Sequence, residues 1–503
     1  MTFQQKIPRA CDKFIPPVIL VVLLMTVYLK TMAPGLTWAN DGSDGGDLIT
    51  AAFTGGVPHP TGYPLYLLLA KIFQLIPAGS LAFRTNLMSA VAAVCASILV
   101  YAVVTEYLAA SQTTKNWLPG LIAGFSFGLS PLLWSQAVIT EVYTLHAFFA
   151  ALLLYLSSGN TRKNLDRMLG LTFGLAAGNH MTIILTLPVL FSSVMFRNSD
   201  STGLKNNQWQ VDIHAFWTGF FWLGIGLLTY VTLPLRALHN PPVNWGNPVT
   251  FKNFVWLVSG RLYQGQIFAM TIDPAWGRMR GAAGLLVEQF GIPGLLLGLI
   301  GLIVFFKPSR LYRNTLWIAF AFFVFSIGYA VLDSYVNLIP AFLSFSVWIG
   351  LGASGLMKSL SLKFRRLEII FGLAVLLYLF FLAGNHCRQV DASQDFRADD
   401  FGREVLAQAP DNAIVFASGD KAVFTMWYFH FALGSRPDLA IVAPALLPYD
   451  WYRESLRHTY PQVIVTDIIP TADAVRAANP QHPVCFIEYI IDSKIDCAPY
   501  PNP

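Results

Sequence analysis

The stretch from Trp38 to Tyr66 carries the densest chemistry in the chain. Asp41, Asp44 and Asp47 recur at every third position, and Pro58-His59-Pro60-Thr61-Gly62-Tyr63-Pro64 follows. A carboxylate beside a hydroxyl can act as a general base, taking its proton as the oxygen forms a new bond. Asp44 can be the N-cap of a short helix, with Asp47 at its third position on the same face and Gly55-Gly56 ending it, so capping is a competing use of both acids. The proline run is different in kind. Three prolines and a glycine in seven residues fix the backbone and remove donors, as a rigid loop that holds acids in place requires. His59, inside that loop, can hold either acid by a hydrogen bond. Asp41, Asp44 and Asp47 could also share a divalent ion. Their spacing is not the alternating one of a calcium-binding helix-loop-helix, whose later ligands are absent, and a metal is not the favoured reading.

The elements that must position this loop follow from composition. The chain has 503 residues, 55% apolar and only 12% charged, against about a quarter charged in soluble domains. This excludes a cytosolic enzyme, a disordered protein and a nucleic-acid binder. The net charge of +5 is no basic footprint, because the cations follow membrane topology. Apolar runs long enough to cross a bilayer lie near 16–34, 85–109, 117–134, 141–157, 215–235, 283–306, 314–332, 335–357 and 368–384, with a further stretch at 168–196. The first is too long for a removed signal peptide and reads as an anchor that stays.

Lys and Arg in short loops set the orientation. Lys6, Arg9 and Lys13 place the N-terminus in the cytoplasm; Arg162, Lys163 and Arg167, then Lys307, Arg310 and Arg313, then Lys358, Lys363, Arg365 and Arg366 mark further cytoplasmic loops. Parity then requires 168–196 to contribute two crossings or none. Gly178-Asn179-His180 is a break between two short half-spans, which gives about eleven crossings; one tilted helix with a polar kink is the alternative. Three regions are exported: the first external loop 35–84, the second external loop 236–282, and the tail from about 385 to 503. The transmembrane domain is then 1–384 and the tail, 385–503, a small α/β domain. In it Ala413–Ala417, Ala440–Val442 and Val463–Val465 read as strands and Phe401–Gln408 and Asp450–His458 as helices. Cys485 and Cys497 are at pairable spacing; Cys11 and Cys95 read as packing residues.

These blocks resemble a known family. Gly42-Ser43-Asp44-Gly45-Gly46-Asp47, Gly56-Val57-Pro58-His59-Pro60-Thr61-Gly62-Tyr63-Pro64, Phe83-Arg84-Thr85-Asn86, Glu141-Val142-Tyr143-Thr144-Leu145-His146, Gly178-Asn179-His180, Leu233-Pro234-Leu235-Arg236 and Asn244-Trp245-Gly246-Asn247-Pro248 are similar to a family of GT-C class membrane glycosyltransferases. Its eukaryotic member is the transmembrane protein O-mannosyltransferase that modifies IPT domains. The similarity covers most of residues 20–260, and the tail matches only in architecture. The family commonly has Asp-Ser-Gly-Glu where this chain has Asp44-Gly45-Gly46-Asp47, so its second acid is a carbon shorter.

The resemblance implies a polytopic α-helical GT-C fold, a polyprenyl-phosphate-linked sugar as donor, an exported acceptor and a catalytic carboxylate in the first external loop. Asp44 is then the base, Asp47 orients acceptor or sugar, and His59 holds an acid. Arg236, His180 and Asn179 are the donor-phosphate candidates, although Arg236 could equally snorkel and the other two could satisfy a helix break. Glu141, Tyr143, His146, Tyr63, Trp245 and Arg84 are the remaining substrate-site candidates. Arg261, Arg278 and Arg280 run against the positive-inside trend, as anion binders would. The expected reaction is inverting transfer of a sugar, mannose or another hexose, to a Ser or Thr hydroxyl of an exported protein. The expected partners are the bilayer, the lipid-linked donor and that protein. A lipid or glycan acceptor, or a flippase of lipid-linked sugars, is the alternative. The chain has no Asn-X-Ser/Thr sequon, which favours a bacterial inner membrane over an endoplasmic reticulum.

Overall fold

A computed structural model describes residues 11–110, 117–158, 164–198, 209–362, 366–468 and 470–498. Lys6, Arg9, Arg162, Lys163, Lys363 and Arg365, and the side chains of Cys11 and Lys13, lie outside the described residues. Among the described residues seven helices are long and apolar enough to cross a membrane: Phe14–Thr31, Leu81–Ala110, Ile213–Ala237, Pro274–Ile303, Arg310–Gly328, Ser334–Ser361 and Leu367–Val390. Trp117–Gly128 and Pro131–Ala137 make an eighth, bent by 65°. The bend lies where Pro131 forces Ser130 into extended backbone, with ψ at 129°.

Tyr143–Ser158 and the 168–196 stretch supply shorter apolar helices beside these seven or eight of full spanning length. That stretch breaks where expected: Leu165–Ala177 stops at Gly178-Asn179-His180 and Met181–Thr186 restarts the chain. Leu165–Ala177 lies close against Ile213–Leu227, because a Cβ on Gly170 would stand 2.0 Å from the Gly219 carbonyl oxygen. Small residues at both surfaces permit that approach. The helix that begins at Ile272 takes up the end of the second external loop, and the last span runs six residues past the expected 384, to Val390.

Outside the bundle, the first external loop folds into helices Gly45–Thr54 and Pro64–Gln74. Between them Val57 donates to the Val243 carbonyl and accepts from Trp245 N–H, which clamps the two external loops together. The tail is a four-stranded sheet. Ile414–Ser418 is central and parallel to Ala440–Val442 on one side and Val484–Tyr489 on the other, and Ser493–Ala498 adds an antiparallel edge. Cys485 and Cys497 face each other across those last two strands and form a disulfide.

Val463–Val465 is not a strand. The Asn479 side chain takes both the N–H and the carbonyl of Ile464, satisfying locally what a sheet ladder would otherwise satisfy. The tail packs directly onto the first external loop: a Cβ on Gly46 would meet the Phe424 carbonyl oxygen at 2.3 Å. Trp38 tilts against Phe401 and Tyr489, and Asp395 accepts from the Thr37 hydroxyl at 2.6 Å.

Candidate active site

Asp44 sits at the N-cap position of Gly45–Thr54, yet its side chain caps nothing. That removes the competing use for it and leaves the carboxylate in the open. Asp47, one turn on, is fully buried. One of its oxygens accepts from the His59 backbone N–H at 2.9 Å and lies 2.7 Å from His59 Nδ1; the other accepts from Trp245 Nε1 at 3.3 Å. His59 is thereby fixed between the acids, with Nε2 3.5 Å from Asp44 Oδ2 and 3.2 Å from the Tyr63 hydroxyl. The proline loop makes this geometry by bringing His59 back over the helix. It closes with Gly62 at φ +84° and Tyr63 at φ +41°, both left-handed.

Burial alone would strip the His59 proton. The charge of Asp44, the hydrogen bond and charge of Asp47, and the charge of Glu141 outweigh it and push the imidazole up to about 9. His59 is therefore a cation at neutral pH, flanked by two carboxylates. Burial holds the Tyr63 hydroxyl well above the usual phenol range.

Asp44, His59, Tyr63, Tyr143 and His180 all face one cavity of about 680 Å³. Met181, Ile184, Leu185 and Phe325 give it an apolar wall. Asp41 also lines it, at φ +60° and accepting from the Tyr335 hydroxyl at 2.5 Å. Desolvation and the charge of Asp44 raise Asp333 and Asp420, two further acids on its wall, above the ordinary carboxylate range.

Several expected residues stand elsewhere. Asp47 has no exposed surface to offer a substrate; it holds His59. Arg236 donates to the carbonyls of Ala51 and Gly56 at 3.4 and 3.3 Å, at the negative end of helix Gly45–Thr54, where a cation is stabilising. Asn179 is fully buried and donates to the Val142 carbonyl, holding the loop that carries Glu141. Arg84 is bonded to the carbonyls of Gln74, Ala78 and Gly79, and Arg278 to those of Ser326, Tyr329 and Val331.

Glu141 and His146 are buried behind the cavity wall. His146 is 3.3 Å from the Thr182 hydroxyl, which lies 2.7 Å from His180 Nδ1. Trp245 is buried against Trp427, Trp451 and Phe424. Asp41, Asp44 and Asp47 do not converge, and among the described residues no group of three or more His, Cys, Asp or Glu is placed to hold a metal ion.

Sequence reasoning missed Asp333, Asp420, Lys421, Tyr263 and Tyr329, which all line the cavity. For two of them a signal was present. Ser418-Gly419-Asp420-Lys421 leaves the central parallel strand and opens helix Asp420–Trp427, at the point where strand order reverses and α/β domains place ligands. Lys421 is the one Lys or Arg among the described residues of the cavity wall, and its ammonium lies 5.7 Å from the rings of Trp38 and Tyr489.

Two family models match the chain: the Protein O-mannosyl-transferase TMEM260 N-terminal domain over residues 44–203, and TMEM260-associated domain 2 over residues 398–479. Over these segments the chain is similar to the TMEM260 protein O-mannosyl-transferases. It is 25% identical to the Protein O-mannosyl-transferase tmem260 of Dictyostelium discoideum, over 87% of this chain and 58% of that one. To the mouse Protein O-mannosyl-transferase TMEM260 it is also 25% identical, over 88% and 64%. The chain thus spans about three fifths of the length of these relatives.

Among solved structures, ArnT from Cupriavidus metallidurans bound to undecaprenyl phosphate superposes with a TM-score of 0.58 at 11% identity, over 94% of this chain and 92% of that one. The apo Archaeoglobus fulgidus oligosaccharyltransferase superposes with a TM-score of 0.51 at 14% identity, over 86% and 65%. The resemblance to TMEM260-type GT-C proteins and the multi-pass membrane architecture therefore stand. Both of these curated relatives are eukaryotic, which tells against the preference for a bacterial inner membrane.

Proposed function

We propose that this protein transfers a sugar, mannose or another hexose, from a polyprenyl-phosphate donor to a Ser or Thr hydroxyl of an exported protein, with inversion, in the cavity lined by Asp44. The supporting observation is the division of labour between the two acids. Asp44 is open to the cavity with 36% of its side chain exposed, whereas Asp47 is closed off and locks His59. A base must reach the acceptor, and the group that orients its neighbour need not.

In this reading Asp44 takes the hydroxyl proton as the acceptor oxygen attacks the anomeric carbon from the face opposite the phosphate. The bond from that carbon to the phosphate oxygen breaks, and the polyprenyl phosphate leaves with the electron pair. The leaving group is already an anion, so its need is positive charge rather than a proton. Lys421 supplies it, in place of Arg236 and Asn179, and the His180 imidazole lies on the same cavity wall. The apolar wall of Met181, Ile184, Leu185 and Phe325 suits the polyprenyl chain. In this reading the cavity opens on the side away from the cytoplasm, as the charges of the short loops require.

The test is mass spectrometry of exported proteins from cells with and without the gene. Hexose on Ser or Thr that disappears with the gene is expected. Unchanged proteins together with a changed lipid or glycan would overturn the acceptor assignment.

A further inference from the structure

Two helices that reach the acid-lined cavity, Tyr143–Ser158 and Arg310–Gly328, reach a second one at their other ends. It also measures about 680 Å³. Arg310–Gly328 shows the separation: Phe325 and Tyr329 reach the first cavity, and Arg310 lines the second. Nineteen residues of helix span about 28 Å, so the two cavities lie at opposite faces of the membrane.

The second cavity inverts the charge of the first. Among the described residues Lys307, Arg310 and Lys358 line it, against one carboxylate, that of Glu106, which accepts from the Tyr155 hydroxyl at 2.5 Å. The oxygen of the Ser158 hydroxyl, on the same wall, is buried and has no hydrogen-bond partner among the described residues. Val103, Leu311 and Leu351 make the wall that faces the bundle. At the rim Leu362 is 84% exposed, a position that lipid rather than water would cover.

A net positive cavity with an unanswered hydroxyl, an apolar wall and an apolar rim matches a ligand that is anionic at one end and hydrocarbon at the other. We propose that it is a binding site for an acidic phospholipid of the leaflet opposite the active site. The phosphate lies between Lys307, Arg310 and Lys358 and accepts from Ser158, and an acyl chain lies along Val103 and Leu351. Basic pockets between membrane helices bind lipid headgroups by this chemistry, at about 1 kcal/mol for each Lys or Arg near the surface.

The test is native mass spectrometry of the full chain in detergent, with dioleoyl-phosphatidylglycerol and dioleoyl-phosphatidylcholine added in equal amounts. The site predicts preferential retention of phosphatidylglycerol. It predicts about 30-fold weaker retention in the Lys307→Gln/Lys358→Gln double variant, and loss in Ser359→Trp, which fills the cavity and leaves every charge in place. Inorganic phosphate should not displace the lipid. Equal retention of the two lipids would overturn the proposal, as would unchanged retention in both variants or displacement by inorganic phosphate.

Discussion

The two cavities share helices and volume and differ in everything that decides chemistry. Among the described residues the outer one carries Asp41, Asp44, Asp333 and Asp420 against Lys421, and the inner one carries three cations against Glu106. They differ as much in how their charges are held. In the outer cavity an imidazole cation is fixed between two carboxylates, one of them fully buried, and a separate domain closes over the loop that carries them. In the inner cavity Lys307 and Lys358 are on exposed residues. Charge that must be aimed at a reacting atom is immobilised by buried partners; charge that only attracts an ion is left on flexible stems.

That contrast can be broken at its most rigid point. Asp47→Leu leaves the His59 cation buried without its closest partner, and the expected cost is about 3 to 5 kcal/mol of stability. A thermal unfolding series in detergent should show that loss alongside loss of transfer. Wild-type stability would mean that the buried acid does not hold the loop.

Lys421→Ala removes the sole Lys or Arg of the described outer wall and sharpens the asymmetry. The expected change is about a tenfold rise in donor KM, the scale of one charged hydrogen bond, with Lys421→Arg restoring most of it. A donor KM that ignores both substitutions would return the phosphate to another group.

The smallest effect is one of pH. His59 titrates near 9, above its ordinary value of 6.5. Its contribution to stability is therefore complete below about 6.5 and is lost as pH rises through about 9. Transfer should fall along the same alkaline limb, and His59→Gln should abolish the limb. A limb that persists in that variant belongs to a different group.

Much of the outer cavity was legible in the chain before any coordinates. Asp44, His59 and Tyr63 lie within one stretch of twenty residues, Tyr143 and His180 stand in separate short motifs, and a proline-rich loop announces its own rigidity. Roles that depend on which way a side chain turns were not legible. Arg236 has the charge for a phosphate, yet it faces the carbonyls at the end of a helix that only folding brings near it. Asp47 and Asp44 are three residues apart and look equivalent as text; burial separates them.

The tail residues were missed because their place in the site depends on a contact between distant segments, Gly46 against Phe424. Hydropathy finds the apolar runs, but not which of them fold as long helices. Positive-inside parity treats each short apolar run as a crossing, and helices such as Leu165–Ala177 have only 13 residues, about 20 Å.

The central claim is that Asp44 is the base of a sugar transfer in the outer cavity. Purified protein reconstituted with a mannose-labelled polyprenyl phosphate and a Ser/Thr-containing acceptor protein tests it most directly. The wild type should move label to protein. Asp44→Asn should lower kcat by about 10²- to 10⁴-fold, the usual contribution of a general base, with donor retention and unfolding temperature unchanged. Transfer by Asp44→Asn at the wild-type rate would contradict the account.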